Sequence, residues 1–506
     1  MSINQYFSNK KILQILKEYK SVWSLNYLIQ LAYWDLETYM PENGALERGE
    51  AIAQTKLFIQ KELLQPDFQK LLDQALLEKN LNIHERTVIR LLKREITKLN
   101  KLPEAFVERL EKLISESQLA WRYARKQNDF LIFKPFLTQI IDLNREKADY
   151  FGYENHPYDA LLDEYDEHST AKKLDKIFQD LINFLDPFLK QIYQAKNYQT
   201  ENPISNLPYS EEKMQKLNHI ILKFFHFDRT SLRLDKSSHP FTSPHGANDI
   251  RITTRYHERD FNRSLSATIH EFGHALYDFQ CTTEYSFTPL WGGSSLSLHE
   301  SQSRFWENFI GKSTAFIEKF LPEFNQLLQP ANPLKLQDYY HYFNLVQPSL
   351  LRVEADELTY HLHIFIRYEV EKAMLAGTCE IDDLNDLWND LYQKYLGLRP
   401  VNFSEGILQD IHWSMGGFGY FPTYTTGTLV SAICKDKLEN DLGKIDKLIS
   451  NNKISEMQTW LADNIHQFGS LYTTDELLKK QFQTELTIEN WKKYATKKYS
   501  KIYKII

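Results

Sequence analysis

The chain reads as a mainly α-helical protein with one small β-sheet, and three observations say so. Across residues 8–190, apolar side chains recur at spacings of three and four, the period of a helix that lays one face on a core. Glycine, which weakens helix interiors, is scarce: there are 17 in 506 residues, and only Gly44, Gly49 and Gly152 precede His239. One stretch, Ile250-Arg251-Ile252-Thr253-Thr254-Arg255-Tyr256, alternates instead with the period of a strand.

Taken in order, Leu81–Leu99 and Leu102–Lys126 typify the first amphipathic helices, and Met40-Pro41-Glu42-Asn43-Gly44 punctuates the first pair. Asn197 to Glu211, with Asn202-Pro203 and Leu207-Pro208, reads as a connection between lobes. Ser237 to Asn248, rich in Ser, His, Pro and Gly, reads as irregular chain leading into the strand, which implies a small sheet beside the helix around residue 270. Helices resume after residue 300, with Gly416-Gly417-Phe418-Gly419 as a flexible break, and no internal repeat is visible. Length alone would allow three domains. The motifs spread from His239 to Tyr424 must nevertheless converge on one site, so residues 1–506 are expected to form one bilobed unit. Within it, 1–200 would be an N-terminal helical region, 201–440 the site region and 441–506 a C-terminal helical region.

Acidic side chains outnumber basic ones by 67 to 60, for a formal net charge of −7, with both signs interspersed. A nucleic-acid partner would call for a basic domain, so none is expected. The exception is the tail, where Lys492, Lys493, Lys497, Lys498, Lys501 and Lys504 alternate with Tyr494, Tyr499 and Tyr503; it reads as a solvated terminal helix. Cys281, Cys379 and Cys434 are odd in number and widely separated, which points to a reducing compartment. Met1 through Lys20 lacks a continuous apolar core of signal-peptide length, and no segment approaches the roughly 20 apolar residues that span a bilayer. A soluble, cytoplasmic protein is the expectation.

The chemistry is concentrated in His270-Glu271-Phe272-Gly273-His274. On a helix, His270 and His274 lie about one turn apart with side chains roughly 40° apart around the axis, so both imidazoles face one cation. Glu271 falls roughly 60–100° further round, close enough to reach an attacking water and badly placed to be a ligand, which is where a general base belongs. Asp278, one turn beyond His274, is placed to accept an imidazole N–H. Two histidines leave a catalytic zinc one protein ligand short. Glu300, in the polar run His299-Glu300-Ser301-Gln302-Ser303-Arg304, is the first candidate for the third, and Glu307 on the same helix is the alternative. The Gly292-Gly293-Ser294-Ser295 loop before that run lets the chain fold back and set the second helix beside the first.

The zinc motif does not stand alone. His239-Pro240-Phe241, Asp249 to Thr254, His299-Glu300-Ser301-Gln302, Leu351-Arg352-Val353-Glu354-Ala355-Asp356 and Gly406 to Trp413 follow one another in an order that resembles the carboxypeptidase Taq family of metallocarboxypeptidases. Likeness extends to Trp34-Asp35, Thr38 to Pro41, Phe418 to Tyr424 and Trp460-Leu461, and so covers most of the chain. Leu351 departs from the family's usual Ile or Val, and Gln481-Phe482-Gln483 replaces its usual Ala-Thr-Gly. The resemblance implies a large helical zinc-peptidase fold with a deep cleft between two helical lobes. It further implies one Zn2+ per chain, with Co2+ also accepted, and a homodimer of broad specificity acting on peptides with a free C-terminus and disfavouring a terminal proline.

On this reading Glu271 takes a proton from water and later gives it to the departing amine. The developing oxyanion needs further donors, and His412 and Tyr420 are favoured from the run Gln409 to Tyr424, whose glycines permit close approach; Gln409 and Tyr424 join the substrate-binding candidates. The substrate's terminal carboxylate suits a guanidinium fork. Arg352 leads by resemblance and Arg251 follows; the lesser reading for Arg352 is an ion-pair network with Glu354 and Asp356 beside it. His239 and Asp249 lie in motifs that the resemblance ties to substrate binding. The competing readings are an oligopeptidase or dipeptidyl carboxypeptidase on the same scaffold, and a non-catalytic peptide-binding metalloprotein; an intact Glu271 speaks against the last.

Overall fold

A computed structural model describes residues 6–205 and 207–505, so Met1–Gln5 of the N-terminal stretch weighed above lie outside the described residues. The chain divides into two compact units, each assembled from three separate segments. The first comprises Met1–Asn100, Pro203–Phe343 and Cys434–Glu485; the second comprises Lys101–Asn202, Asn344–Ile433 and Leu486–Ile506.

The first unit carries the sheet. β1 (Leu232–Lys236), β2 (Thr242–Gly246) and β3 (Asp249–Thr254) pair in the order β1-β3-β2, with β1 parallel and β2 antiparallel to the central β3. β2 lies inside the stretch expected to be irregular. Pro244 obscures it, since proline has no N–H for a sheet ladder, but β2 is an edge strand and its pairing shifts register between Pro244 and Gly246. Along β3, Ile250, Ile252 and Thr254 share one face and are buried, while Asp249 and Arg251 point to the other. The buried face meets the helix Phe261–Gln280, where the Thr268 and Thr254 hydroxyls lie 3.0 Å apart.

That helix starts at Asp260, whose carboxylate accepts from the Arg263 N–H at 3.0 Å and so satisfies one of the open donors of the first turn. Its Phe272 is fully buried against Phe225 and Trp306, with ring centroids 5.0 and 4.9 Å away. Burial of such rings contributes about 1.5–3 kcal/mol each. The helix Leu296–Arg304 packs beside it and runs on into a turn of π-helix, Phe305–Gly311. An i,i+4 apolar pattern cannot reveal a π-turn, so the sequence read this stretch as uninterrupted α-helix; π-turns favour functional sites, and this one carries Glu307.

The second unit is built on the helix Tyr360–Ala376, most of whose residues are buried, including Arg367 and Glu371. The helices Glu104–Gln127 and Phe130–Phe151 pack on each other in the same unit, close to the helical ranges expected there. The terminal helix Glu489–Tyr503 is not a solvated rod: Trp491, Ala495, Lys498, Tyr499 and Tyr503 are buried on one side. Their spacing of three and four makes one face, and Lys and Tyr bury their apolar bodies provided their polar ends are paired. Here Lys498 Nζ donates to Glu357 Oε2 at 2.7 Å and Tyr499 Oη donates to the same oxygen at 2.9 Å. No described helix is long and apolar enough to cross a membrane, and all three cysteines are free.

Gly273 sets the separation of the two helices that carry the metal-motif side chains. A Cβ added there would lie 2.5 Å from the Gln302 carbonyl oxygen and 2.6 Å from Ser303 Cα, both backbone positions without freedom to yield. Gly273→Ala should therefore push the helices apart, destabilising the protein by roughly 1–3 kcal/mol or more as overpacking does and lowering metal content per chain. Thermal melting together with metal analysis checks this; wild-type values for both would show that the crossing has slack.

Candidate active site

Three ligand-bearing side chains converge in the first unit. His270 Nε2 and His274 Nε2 lie 3.4 and 3.3 Å from Glu300 Oε2, and the three groups offer atoms all within 4.8 Å of one another. Ligands held about 2.0–2.2 Å from a tetrahedral ion stand about 3.3–3.6 Å apart, so the two measured edges match a zinc-sized divalent cation. The second oxygen of Glu300 accepts from Arg304 Nε at 2.7 Å, which turns Oε2 toward the histidines.

The electrostatics also describe a cation site. Burial by itself would lower the pKa of His270, but Glu300, Glu307 and Glu271 around it push it up to about 10. Glu300, likewise opposed by burial, is held well below the usual carboxylate range by His270 and Arg304. The carboxylates around the histidines thus favour positive charge among them, as a site for a divalent cation would.

Both Nδ1 atoms are oriented from behind. His270 Nδ1 lies 3.0 Å from Glu307 Oε2, so Glu307 meets the ring at the nitrogen that does not face Glu300. His274 Nδ1 lies 2.6 Å from His299 Nδ1, and His299 Nε2 sits 3.1 Å from both oxygens of Asp278. Asp278 therefore reaches His274 through His299, contrary to the direct contact expected from sequence. On a helix, Asp278 points along the same face as His274, but the interposed ring comes from another helix and only tertiary packing supplies it.

Glu271 is buried, and Thr242 of β2 donates to its Oε2 at 2.6 Å. Thr242, three residues after His239, is a site residue that sequence reasoning missed; its only signal was its place next to the His239-Pro240-Phe241 motif. His239 itself is exposed on the loop between β1 and β2. Asp249 and Arg251 form a two-pronged ion pair at 2.9 and 3.0 Å, Tyr27 donates to Asp249 at 2.9 Å, and the Arg251 guanidinium lies 4.2 Å from the Trp34 ring centre.

The second unit holds a buried charge cluster. Arg352 donates through Nε and Nη2 to Asp410 Oδ1 at 3.0 and 2.8 Å and through Nη1 to Tyr360 at 2.9 Å, and Arg367 Nε donates to Asp410 Oδ2 at 2.7 Å. Arg352's ion partner is therefore Asp410; Asp356, its neighbour in sequence, instead accepts from Thr359 and Gln347. Neither Asp410 nor Arg367 was singled out from sequence, although Asp410 sits inside the Gly406 to Trp413 motif. Two guanidiniums around one carboxylate leave the cluster net positive. His412 adds no charge at neutral pH, because burial, with Arg352 and Arg367 reinforcing it, lowers its pKa to about 4. Its ring lies 5.0 Å from Tyr420, which in turn lies 5.5 Å from Tyr424, and Tyr424 lies 5.1 Å from the Arg352 guanidinium. Gln409 is committed to the fold: its Nε2 donates to backbone carbonyls including Glu405 at 2.8 Å, and its Oε1 accepts from the Arg352 N–H at 3.0 Å. It braces the backbone of Arg352.

A helical fold with a small sheet, in which the two motif histidines of one helix face a carboxylate from a second, defines a metallopeptidase. The chain belongs to the carboxypeptidase Taq (M32) metallopeptidase family, whose model matches residues 12–499. It is 40% identical to thermostable carboxypeptidase 1 of Pyrococcus furiosus over 498 residues, covering 98% of this chain and 100% of the relative, and 37% identical to carboxypeptidase 1 of Bacillus subtilis, covering 94% and 95%. The solved Pyrococcus furiosus carboxypeptidase superposes with a TM-score of 0.96, and metallocarboxypeptidase 1 of Trypanosoma cruzi with 0.91 at 32% identity, covering 97% of this chain and 100% of that one. The protein is thus a metallocarboxypeptidase, a peptide hydrolase.

Asp410 also generates a stability prediction. Burial alone would raise its pKa, but Arg352 and Arg367 outweigh that and hold it far below the usual carboxylate value. A depressed folded pKa stabilises the fold fully above the unfolded value of about 3.9, and that contribution is lost progressively as pH falls below it toward the folded value. Asp410→Asn leaves two buried guanidiniums without their counterion and should cost about 3–5 kcal/mol at pH 7. Denaturant unfolding at pH 7 and pH 3 should show the gap narrowing by about 1 kcal/mol at the lower pH; a gap that widens on acidification would contradict the assignment.

Proposed function

We propose that the protein removes single amino acids from the C-terminus of peptides, with His270, His274 and Glu300 holding one Zn2+ and Glu271 as general base. The observation that carries this is the convergence of both Nε2 atoms on Glu300 Oε2 at 3.4 and 3.3 Å, with Glu271 between the two histidines in sequence and outside the triangle. A Zn2+ held by these three side chains would supply Lewis-acid chemistry, acidifying an attacking water and polarising the scissile carbonyl, and Co2+ would suit the same donors. Glu271, steadied by the Thr242 hydroxyl, takes the water's proton and passes it to the departing amine. His412, neutral at working pH, and Tyr420 are proposed to donate hydrogen bonds to the oxyanion. Tyr424, beside Arg352, is proposed to line the substrate, as are His239 and Asp249.

Arg352 is proposed to take the terminal carboxylate. Three of its five N–H donors are committed to Asp410 and Tyr360, and the net positive charge of the cluster suits an anion. Arg251, paired with Asp249 and stacked on Trp34, is the second candidate. The likeness to the family also supports a homodimer, and three free cysteines support a cytoplasmic location.

Two results test the chemistry. Glu271→Gln should keep its metal yet lose about 10²–10⁴-fold in turnover, whereas Glu300→Ala should lose metal and activity together, with excess zinc restoring part of both. Metal analysis beside rate measurement separates these; a Glu271→Gln enzyme within tenfold of wild type would remove the base assignment.

The exopeptidase reading is tested by the products and by the substrate's end group. Mass spectrometry on one unstructured peptide should show stepwise loss of single C-terminal residues; internal cuts or dipeptide release would favour the oligopeptidase alternative. Arg352→Ala should lose about 10–100-fold in kcat/KM on free-acid peptides, the equivalent of one charge-assisted pair, and little on amidated ones. Equal losses on both would move the carboxylate to Arg251.

A further inference from the structure

We propose that Glu371 is a positioning residue that sets the segment carrying His412 and Tyr420. This rests on the reading of that segment under Proposed function. Glu371 lies on the helix Tyr360–Ala376 and is fully buried, and its carboxylate gathers donors from three places in the second unit. Trp413 Nε1 donates to Oε1 at 2.8 Å, the Gly419 N–H donates to Oε2 at 3.0 Å, and the Tyr158 hydroxyl donates to the same Oε2. Trp413 directly follows His412 and Gly419 directly precedes Tyr420, so one rigid carboxylate holds both ends of a stretch whose middle, Gly416-Gly417, has no side chains of its own to fix it.

The surroundings leave the segment little choice of path. Gly419 has φ +91, and a Cβ on it would lie 2.9 Å from the Leu161 carbonyl, so the backbone is pressed against the helix Pro157–Tyr165. The Tyr420 ring then meets Tyr165 at 5.3 Å and His412 at 5.0 Å. The fixed separation of the two proposed oxyanion donors therefore descends from the hydrogen bonds that Trp413 and the Gly419 N–H make to Glu371. A buried carboxylate is an effective clamp for this purpose because its two oxygens accept several directional bonds at once, each charge-assisted when the group is ionised. Burial raises the Glu371 pKa to about 7, opposed by the donors that face it.

The test uses the metal-loaded, full-length enzyme. Glu371→Gln keeps the volume but turns an NH2 group toward donors, while Trp413→Phe deletes one bond and leaves the carboxylate in place. Hydrogen exchange read by mass spectrometry should show residues 411–421 exchanging at least about tenfold faster in Glu371→Gln, the consequence of losing a bond to a charged group. Turnover per metal-loaded molecule should fall about 10–100-fold with KM within about threefold, as expected when transition-state donors are displaced by about an ångström. Metal content should stay at the wild-type value, and Trp413→Phe should move exchange and kcat in the same direction by less.

A purely structural Glu371 would lower thermal stability while leaving kcat per folded molecule intact. Wild-type exchange over 411–421, or faster exchange with unchanged kcat, overturns the proposal. Should Glu371→Gln fail to fold, Trp413→Phe decides by the same two readouts. His412→Ala and Tyr420→Phe run alongside: if both retain wild-type kcat, the oxyanion reading under Proposed function falls by itself, whereas the exchange data report on the clamp independently.

Discussion

The close crossing of the helices Phe261–Gln280 and Leu296–Arg304 at Gly273 is the constraint on which the metal group depends. Both histidines are fixed relative to each other by one helical turn, but Glu300 reaches them only because the backbone of Gln302 and Ser303 approaches where a side chain would otherwise stand. Phe272 and Trp306 supply the apolar driving force for that approach, and the absence of a Cβ at Gly273 supplies the space. The burial that pulls the two helices together also removes water from three ionisable groups, which raises the energy of leaving them without a cation.

The same logic, with the opposite sign, shapes the second unit. Its buried helix Tyr360–Ala376 carries a cation, Arg367, and an acid, Glu371, into the interior, and each has partners. Arg367 and Arg352 share Asp410, which leaves a positive excess; Glu371 gathers hydrogen-bond donors instead. Buried charge is expensive to leave unpaired, so these side chains determine which loop conformations are possible around them. The segment from Gln409 to Tyr424 is held by such contacts at Gln409, Asp410, Trp413 and Gly419.

In both units the candidate site side chains are backed by others. His270 is backed by Glu307, His274 by His299 and Asp278, Glu271 by Thr242, and Arg352 by Asp410 and Gln409. Side chains on which chemistry depends need their rotamers fixed, and a second hydrogen bond on the far side of a ring or fork does this without blocking the near side.

Much of this was legible in the sequence. Helical period, scarce glycine and one alternating stretch determined a mainly helical fold with a small sheet, and the one-turn spacing of His270 and His274 determined a pair of facing imidazoles with Glu271 set aside, because local geometry alone relates residues four apart. Sequence ranked Glu300 before Glu307 and left both open, since they lie seven residues apart on one helical run; the π-turn that carries Glu307 sets its carboxylate beside His270 Nδ1, whereas Glu300 lies near both Nε2 atoms. Edge strand β2 was hidden by a proline whose cost depends on where the strand sits in the sheet. The buried side of the tail, the replacement of Asp356 by Asp410 as partner of Arg352, and the ring of His299 between His274 and Asp278 were all decided by contacts between elements remote in sequence. Spacing along one element constrains which side chains share a face, and only the packing of several elements decides what that face meets.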